Sequence, residues 1–238
     1  MDGETAAAAA AEDSGTLYLV ASPVGNLADI TNRAVKILKS VDIIAAEDTR
    51  HTRRLLDHYE VKGRRLTSYH AHNVERKTPV LIEELKEGKS IALISDAGSP
   101  GISDPGAVLV REAVEEKIVI CPIPGPSAPT LAVTASGFPS HRFVFEGFLP
   151  RKKGRKTLIE SWRKEKRTIV FFEAPVRIVK TLNYIKEMIG DRKVCVAREL
   201  TKKFEEFIRG DISDVIGELE SRTSVKGEIT VVVAPEGF

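Results

Sequence analysis

The stretch TLYLVASPVGNLADITNRAVKILKS, residues 16–40, contains the pattern that decides the fold. It begins with a short apolar run, passes through a segment with Pro23 and Gly25, and continues as the amphipathic stretch DITNRAVKILKS (29–40). The apolar run does not alternate with polar residues, which is typical of a strand buried on both faces. The stretch therefore predicts a strand, a turn and a helix.

Short apolar runs and amphipathic stretches continue to follow one another as far as residue 124. Amphipathic segments such as TRRLLDHY (52–59) separate the apolar runs, and Thr78-Pro79 and Asp104-Pro105 have the pattern of helix starts. Strands that alternate with helices form a parallel sheet with helices on its faces. We therefore predict a parallel-sheet domain over residues 16–124. Its further apolar runs are VDIIAAE (41–47), RLTSY (65–69), SIALIS (90–95) and KIVICPI (117–123).

A second α/β domain is predicted over residues 142–238. Residues 125–141 are rich in Pro, Gly, Ser and Ala, which is typical of an interdomain connection. KFEEFIRG (203–210) follows KVCVARELT with no room for a helix, which predicts an antiparallel pair in a mixed sheet. Helices are predicted at 175–189, 212–221 and near 155–163. Residues 1–15 are of low complexity, with alanine from Ala6 to Ala11, and predict a disordered tail.

Composition excludes several classes of protein. The 238 residues include 36 Lys and Arg, 34 Asp and Glu, 42% hydrophobic and 29% charged residues, a globular mixture rather than a disordered or collagen-like one. No uncharged apolar run approaches the roughly 18–20 residues that cross a bilayer, so we predict no membrane association. Cys121 and Cys195 lie in apolar strand-like contexts, which favours buried thiols in a reducing compartment over a disulfide.

Polar or Gly- and Pro-rich clusters follow all five strands of the first predicted domain. Ligands of open parallel sheets bind beyond the carboxyl ends of the strands, so five such clusters predict a ligand-binding crevice. The clusters are Ser22–Leu27, Glu47–Arg50, Tyr69–Asn73, Ser95–Gly106 and Pro124–Ala128.

The loop 95–106 is the most unusual of these clusters. Asp96 is placed to accept a hydrogen bond from an amine or a hydroxyl of a ligand, whereas Asp104 precedes Pro105 and is interpreted as a helix cap. The chain lacks G-x-x-x-x-G-K-[ST] and G-x-G-x-x-G, which argues against P-loop and dinucleotide sites. His70 and His72 have no further Cys or His clustered with them, so we predict no metal.

A basic segment extends from Arg151 to Arg167. It has nine Lys or Arg residues against Glu160 and Glu165, a net charge of +7, with Trp162 among them. Because Lys and Arg are rarely buried without partners, we expect these cations to face solvent or a polyanion, and RNA phosphates are the natural partner. The predicted RNA-binding residues are Arg151, Lys152, Lys153, Arg155, Lys156, Arg163 and Lys164.

Eight segments of the chain together resemble the ribosomal RNA small subunit methyltransferase I family of the tetrapyrrole methylase superfamily. The resemblance covers about residues 16–235 and is most specific in LYLVASPVGNLADIT (17–31) and ISDAGSPGISDPG (94–106). AAEDTR (45–50), SYHAHN (68–73), IPGPSA (123–128), FEGFLP (145–150), ARELTK (197–202) and KGEITVVV (226–233) also take part.

The resemblance implies a two-domain α/β methylase, usually a homodimer, that takes S-adenosylmethionine between its domains and 2′-O-methylates a cytidine of small-subunit rRNA in the cytoplasm. An organelle stroma or matrix is the alternative if a transit peptide was removed. The chain departs from the family at Glu173-Ala174-Pro175-Val176-Arg177, where a histidine usually occupies the fourth position. The cofactor residues that the resemblance implies are Pro23, Gly25, Asp96, Gly98, Ser99, Ile102, Ser103, Ser127, Ala128, Phe172, Ala197, Lys226, Gly227 and Glu228.

Several residues are candidates for a base near the reacting hydroxyl. They are Glu47, Asp48, His70 and Glu199, while Arg50, Arg198 and Lys202 could hold phosphate or charge. The alternative for the segment 47–50 is that it only caps the helix that follows. Two other functions stay open: a methylase of a tetrapyrrole or a protein side chain, and an RNA-associated protein that binds the cofactor without catalysis. The missing histidine and the end of the chain at Phe238 motivate the alternative without catalysis.

Overall fold

The computed structural model describes residues 15–238, so residues 1–14 of the predicted disordered tail lie outside the described residues. The chain divides into two compact units between Pro126 and Ser127. This division lies inside the segment 125–141, where the composition predicts the connection between domains. None of the helices within residues 15–238 is long and apolar enough to cross a membrane.

The first unit is a five-stranded sheet with helices on both faces. Every strand pair in it is parallel, and the strand order is β3-β2-β4-β1-β5. The predicted parallel sheet is therefore confirmed. Its strands are β1 (Thr16–Val20), β2 (Ile43–Ala46), β3 (Arg65–Ser68), β4 (Ile91–Ile94) and β5 (Val119–Ile123). Its helices are α1 (Asn32–Ser40), α2 (Thr49–His58), α3 (Val74–Lys86) and α4 (Gly106–Glu115).

Strand β2 shows why the apolar runs do not alternate with polar residues. Its four side chains are all buried, with Ile44 and Ala46 in the core under α1 and α2, and Ile43 and Ala45 in the core under α3 and α4. Burying a large aliphatic side chain contributes about 1.5–3 kcal/mol, so both faces of the strand stabilise the unit.

The chain connections diverge at the neighbouring strands β1 and β4. The connection from β1 to β2 includes α1 on one face, whereas the connection from β4 to β5 includes α4 on the opposite face. Ligands of open parallel sheets bind at such neighbours, beyond the carboxyl ends of the strands. The fold thus places the loops after β1, β2 and β4 where ligands bind in open parallel sheets.

The second unit contains a mixed sheet of order β6-β7-β10-β8-β9. β6 and β7 are parallel and the other pairs are antiparallel, including the predicted pair β8–β9. Its strands are β6 (Phe143–Phe148), β7 (Thr168–Glu173), β8 (Lys193–Arg198), β9 (Glu206–Asp211) and β10 (Ile229–Val233). Its helices are α5 (Ala128–Ser136), α6 (Arg155–Ser161), α7 (Ile178–Ile189) and α8 (Ile212–Glu220).

Helix α5 lies in the segment 125–141, where the composition predicts a connection. It ends at Gly137, which adopts the left-handed conformation at φ 83° that favours glycine after a helix. The helix lies against β7, β8 and β10. Helices α6, α7 and α8 contribute to the core on the opposite face, together with Phe171, Val196 and Val231.

Candidate functional site

Hydrogen bonds join the loops that follow β1, β2 and β4. Ser22 and Gly98 exchange two backbone bonds, of 2.9 and 3.1 Å. The Asp48 N–H donates to Asp96 Oδ1 at 3.0 Å, and the Asp96 N–H donates to Glu47 Oε2 at 3.4 Å. The polar clusters after these three strands therefore form one connected junction at the carboxyl edge of the sheet.

Asp104 organises the loop 95–106. Its carboxylate accepts from the Gly101 N–H at 2.8 Å and from the Gly106 N–H at 2.6 Å, so Asp104 caps backbone amides as predicted, although the N-cap residue of α4 is Pro105. Burial raises the pKa of Asp104, against those two hydrogen bonds. Within the same loop, Ser99 is half-buried, whereas Ile102 and Ser103 are exposed, and Ser103 has a φ of 63°. Asp104 thus holds the loop in a conformation that presents its tip to solvent.

Asp96 has one carboxylate oxygen to spare. Oδ1 accepts from Asp48, while Oδ2 has no hydrogen-bond partner within residues 15–238. The Ser22 hydroxyl, which is buried, also has no partner in the described part of the chain. A buried polar atom without a partner costs free energy, so a ligand that supplies the missing bond would recover it. Ser22 belongs to the predicted cluster after β1, but the sequence does not single it out.

Glu47 differs from the other candidate bases in its electrostatic surroundings. Partial burial raises its pKa, the hydrogen bond from the Asp96 N–H opposes that rise, and the carboxylates of Asp96 and Asp104 add to it. Together with Tyr69 and Asp104 it lines a cavity of about 10 Å³. A carboxylate with a raised pKa is a stronger proton acceptor than an ordinary one, which suits general-base chemistry.

The side chain of Asp48 forms its hydrogen bonds and its ion pair mainly with Arg50. Asp48 Oδ1 accepts from the Arg50 N–H at 2.8 Å as the N-cap of α2, and Oδ2 lies 2.9 Å from Arg50 Nη2. These bonds hold the pKa of Asp48 far below its usual range. The capping alternative is therefore confirmed for Asp48, and its carboxylate is a weak base.

His70 is held by Asn73. The Asn73 side chain accepts from the His70 N–H at 2.9 Å, and its Nδ2 donates to Ser68 and lies 3.3 Å from His70 Nε2. Because Nδ2 can only donate, Nε2 of a neutral ring accepts and Nδ1 carries the proton. Nδ1 is buried and has no partner among the described residues. Within those residues, no three His, Cys, Asp or Glu side chains are arranged to hold a metal ion.

The predicted cofactor residues Phe172 and Ala197 lie in one row across the second unit's sheet. Both are register partners of Thr230 on β10, so the three side chains share a face. The sequence does not indicate Thr230, because a buried threonine in GEITVVV has the pattern of an ordinary strand residue. The Phe172 ring also packs on Phe145 and Phe148, with centroids 5.1 and 5.2 Å away.

Glu199 is fixed beside the turn 226–228. Its Oε1 accepts from the Glu228 N–H at 2.9 Å and from Lys202 Nζ at 3.0 Å. Partial burial would raise the pKa of Glu199, but these bonds hold it below its ordinary value. Gly227 has a φ of +96°, a conformation that favours glycine, and a Cβ there would lie 2.5 Å from the Glu199 side chain and displace it. Glu199 is thus an acceptor that shapes this turn and a weak base.

The remaining predicted cofactor residues lie near the ends of elements. Pro23 is buried and Gly25 exposed, both after β1. Ser127 is the N-cap of α5 with no hydrogen bond from its side chain, and Ala128 is the first residue of that helix. Lys226 is exposed, and its carbonyl accepts from Arg198 at 3.1 Å.

The expectation that all cations of the basic segment face solvent or a polyanion is wrong for Arg155. Its side chain is only 14% exposed, donates to Thr181 Oγ1 at 2.7 Å and lies 3.9 Å from the buried Glu173 carboxylate. Trp162 is buried too, stacks on Phe171 and donates to Glu146 Oε1 at 3.1 Å. The sequence could not reveal this, because Glu173 and Phe171 lie on a strand beyond the segment.

The other cations of the basic segment are exposed, and three of them have partners. Lys156 lies 3.7 Å from Glu160, Arg163 donates to the Met188 carbonyl, and Arg167 pairs with Glu165 at 2.7 Å. Five further side chains, those of Arg151, Lys152, Lys153, Lys164 and Lys166, are exposed and form no ion pair with the described residues.

The sequence is similar to a family and to several curated proteins. The family described as Tetrapyrrole (Corrin/Porphyrin) Methylases matches residues 16–216. The protein named ribosomal RNA small subunit methyltransferase I from Thermotoga maritima is 51% identical over 92% of this chain and 98% of its own length. The protein of the same name from Bacillus subtilis is 50% identical over 93% of this chain and 75% of its own length.

Solved structures of low sequence identity share the fold. A diphthine synthase superposes with a TM-score of 0.74 at 16% identity, covering 92% of this chain and 90% of its own. A uroporphyrin-III C-methyl transferase from Thermus thermophilus complexed with S-adenyl homocysteine gives 0.65 at 16% identity, covering 92% and 97%. The family match and the relatives of about half identity together decide the classification. The chain belongs to the tetrapyrrole (corrin/porphyrin) methylases and, among them, to the ribosomal RNA small subunit methyltransferase I family.

Proposed function

We propose that the chain transfers a methyl group from S-adenosylmethionine to the 2′-hydroxyl of a cytidine ribose in small-subunit ribosomal RNA. The observation that carries this proposal is the junction of the loops after β1, β2 and β4, in a chain that is half identical to relatives named for that activity. As the family resemblance implies, we also propose a homodimer that acts in the cytoplasm, or in an organelle stroma or matrix.

The residues of the junction suit the cofactor. Asp96 offers a carboxylate oxygen to an amine or a hydroxyl, and Ser22 offers a buried hydroxyl without a partner in the described chain. When bound, S-adenosylmethionine supplies an electrophilic methyl group. In the second unit, the row of Phe172, Thr230 and Ala197 is proposed to contact the cofactor as well.

The chain's own contribution is alignment, exclusion of water and acceptance of a proton. Holding two reactants in line can supply on the order of 7 kcal/mol. We propose Glu47 as the base because its pKa is raised, whereas that of Asp48 is lowered by Arg50 and that of Glu199 by Glu228 and Lys202. A well-placed base adds about 10²–10⁴-fold to the rate.

Labelled S-adenosylmethionine tests the proposed reaction. We expect purified protein to label small ribosomal subunits at one cytidine, and digestion to nucleosides should yield 2′-O-methylcytidine. A free precursor macrocycle should stay unlabelled. Label in the macrocycle alone would contradict the proposal in favour of a tetrapyrrole methylase. Cofactor binding without label in any substrate would favour the alternative of an RNA-associated protein that binds the cofactor but does not catalyse methyl transfer.

Substitutions at Asp96 test the cofactor site. Asp96→Ala should weaken S-adenosylmethionine binding by about 1.5–3 kcal/mol, the range for hydrogen bonds to charged groups. Asp96→Asn is the matched control, because it keeps an acceptor for the Asp48 N–H while removing the charge. Calorimetry and thermal unfolding of both variants separate the two roles. If affinity stays unchanged while Asp96→Ala alone loses stability, Asp96 serves only the junction.

A further inference from the structure

A groove along α7 in the second unit is formed largely by residues that the proposed site does not use. Its volume is about 1080 Å³. Five cations line it, against one acidic lining residue, Glu187. The cations are Arg151, Arg155, Arg177, Lys180 and Lys186.

The floor of the groove is a buried network with excess positive charge. The Glu173 side chain is fully buried and accepts from Thr181 Oγ1 at 2.6 Å. It lies 2.6 Å from Arg177 Nη2 and 3.9 Å from Arg155 Nη1. Two guanidinium groups therefore share one carboxylate. Arg177 Nε is also buried without a partner among the described residues. The floor thus keeps a surplus cation and a donor for an anionic ligand.

The walls combine further cations with apolar surface. Arg151, Lys180 and Lys186 are exposed and form no ion pair with the described residues. Val176 is 89% exposed, and the Tyr184 ring lies under the Arg155 guanidinium at 5.7 Å. An exposed valine and an aromatic ring between cations suit a ligand that presents charge and flat apolar faces together.

We propose that this groove binds the ribose–phosphate backbone of the RNA substrate, a proposal that rests on the proposed function. Arg177, which precedes α7, and Lys186 are nine residues apart, about 14 Å along the helix axis at 1.5 Å per residue, which is long enough to face more than one backbone phosphate. RNA supplies phosphates for the cations, and ribose and base faces for Val176 and Tyr184. An acidic peptide matches the charge but not the exposed apolar surface.

Charge reversal on α7 tests the groove. In the double variant Lys180→Glu/Lys186→Glu, we expect the Kd for a small-subunit rRNA fragment to rise on the order of tenfold, since contacts at exposed charges are individually weak. The log–log dependence of affinity on salt should become shallower by about 1.4–1.8, at 0.7–0.9 per lost phosphate contact. Cofactor affinity and thermal stability should stay unchanged. The matched control is Lys36→Glu/Lys39→Glu, which reverses two exposed lysines of α1.

The outcomes separate this proposal from the proposed function. If the unsubstituted protein neither binds nor methylates rRNA, the proposed function fails. If it methylates rRNA and the α7 variant keeps its affinity and salt slope, only the groove proposal is overturned. Equal losses of RNA affinity in the α7 variant and in the control variant would also overturn the groove proposal. A poly-glutamate peptide that loses binding to the α7 variant, while RNA binding is unchanged, would assign the groove to a protein partner. Photo-crosslinking of 4-thiouridine RNA to the peptide that contains Tyr184 would support the proposal independently.

Discussion

Glu47→Gln is expected to lower the methylation rate by about 10²–10⁴-fold, the contribution of a positioned general base. Because the amide keeps an oxygen for the Asp96 N–H, the junction should survive, and the affinities for cofactor and RNA should stay close to those of the unsubstituted chain. The loss should therefore appear in single-turnover rates and not in Kd. In the unsubstituted chain, the rate should fall as pH is lowered through the raised pKa of Glu47.

The same substitution should increase stability at neutral pH. Burial and the neighbouring carboxylates raise the pKa of Glu47 in the folded chain above its ordinary value of 4.5. The folded state then binds a proton more tightly than the unfolded state, so stability falls as pH rises from about that value through the raised pKa. Glutamine carries no ionisable group, so it removes this loss of stability at neutral pH. Thermal unfolding should show a higher Tm for Glu47→Gln at pH 7, and a smaller difference between the variants at acidic pH.

Asp48→Asn provides the matched control. It is also a carboxylate-to-amide change at the junction, and asparagine remains a good N-cap for α2. We expect its single-turnover rate to stay within a few-fold of the unsubstituted chain. If Glu47→Gln retained a comparable rate, or if the two variants lost activity equally, Glu47 would not be the base.

Sequence patterns predicted the fold because they report local burial. The apolar runs that became β1, β2 and β4 predicted a parallel sheet, and the same reasoning placed polar loops at its carboxyl edge. Helix starts were harder to predict. Thr78-Pro79 has the pattern of a start, but α3 begins at Val74 and contains Pro79, and Thr78 Oγ1 bonds the Val74 carbonyl at 2.7 Å. A proline within a helix cannot be distinguished locally from one at its first turn.

The roles of the charged residues depended on partners remote in sequence. The segment AAEDTR contains two adjacent acids, and only the structure shows that Asp48 caps α2 while Glu47 is half-buried near Asp96 and Asp104. The basic segment likewise suggested solvent-facing cations, because local composition cannot show that β7 brings a buried Glu173 to Arg155. Pairing across elements, and not residue type, decides which charges are available to a ligand.

Arg177→Ala is expected to cause the largest loss of stability among these variants. Arg177 Nη2 lies 2.6 Å from the fully buried Glu173 carboxylate, and its removal leaves Thr181, the Ala174 N–H at 2.8 Å and the more distant Arg155 as partners. Breaking a buried ion pair from one side costs about 3–5 kcal/mol. A loss of about 3 kcal/mol corresponds to a fall in Tm of roughly 6–12 °C for a chain of this size.

A double variant shows whether the charge on Glu173 causes that loss. Glu173→Gln/Arg177→Met removes both charges and keeps the approximate volume, so it should recover part of the stability lost in Arg177→Ala, because no buried carboxylate is left short of partners. Lys180→Ala, an exposed cation on the same helix, should change the free energy of unfolding by less than about 0.5 kcal/mol. If Arg177→Ala unfolded at the same denaturant concentration as Lys180→Ala, Thr181, Arg155 and the backbone would suffice to hold Glu173. The floor of the α7 groove would then be built by Arg155 rather than by both arginines.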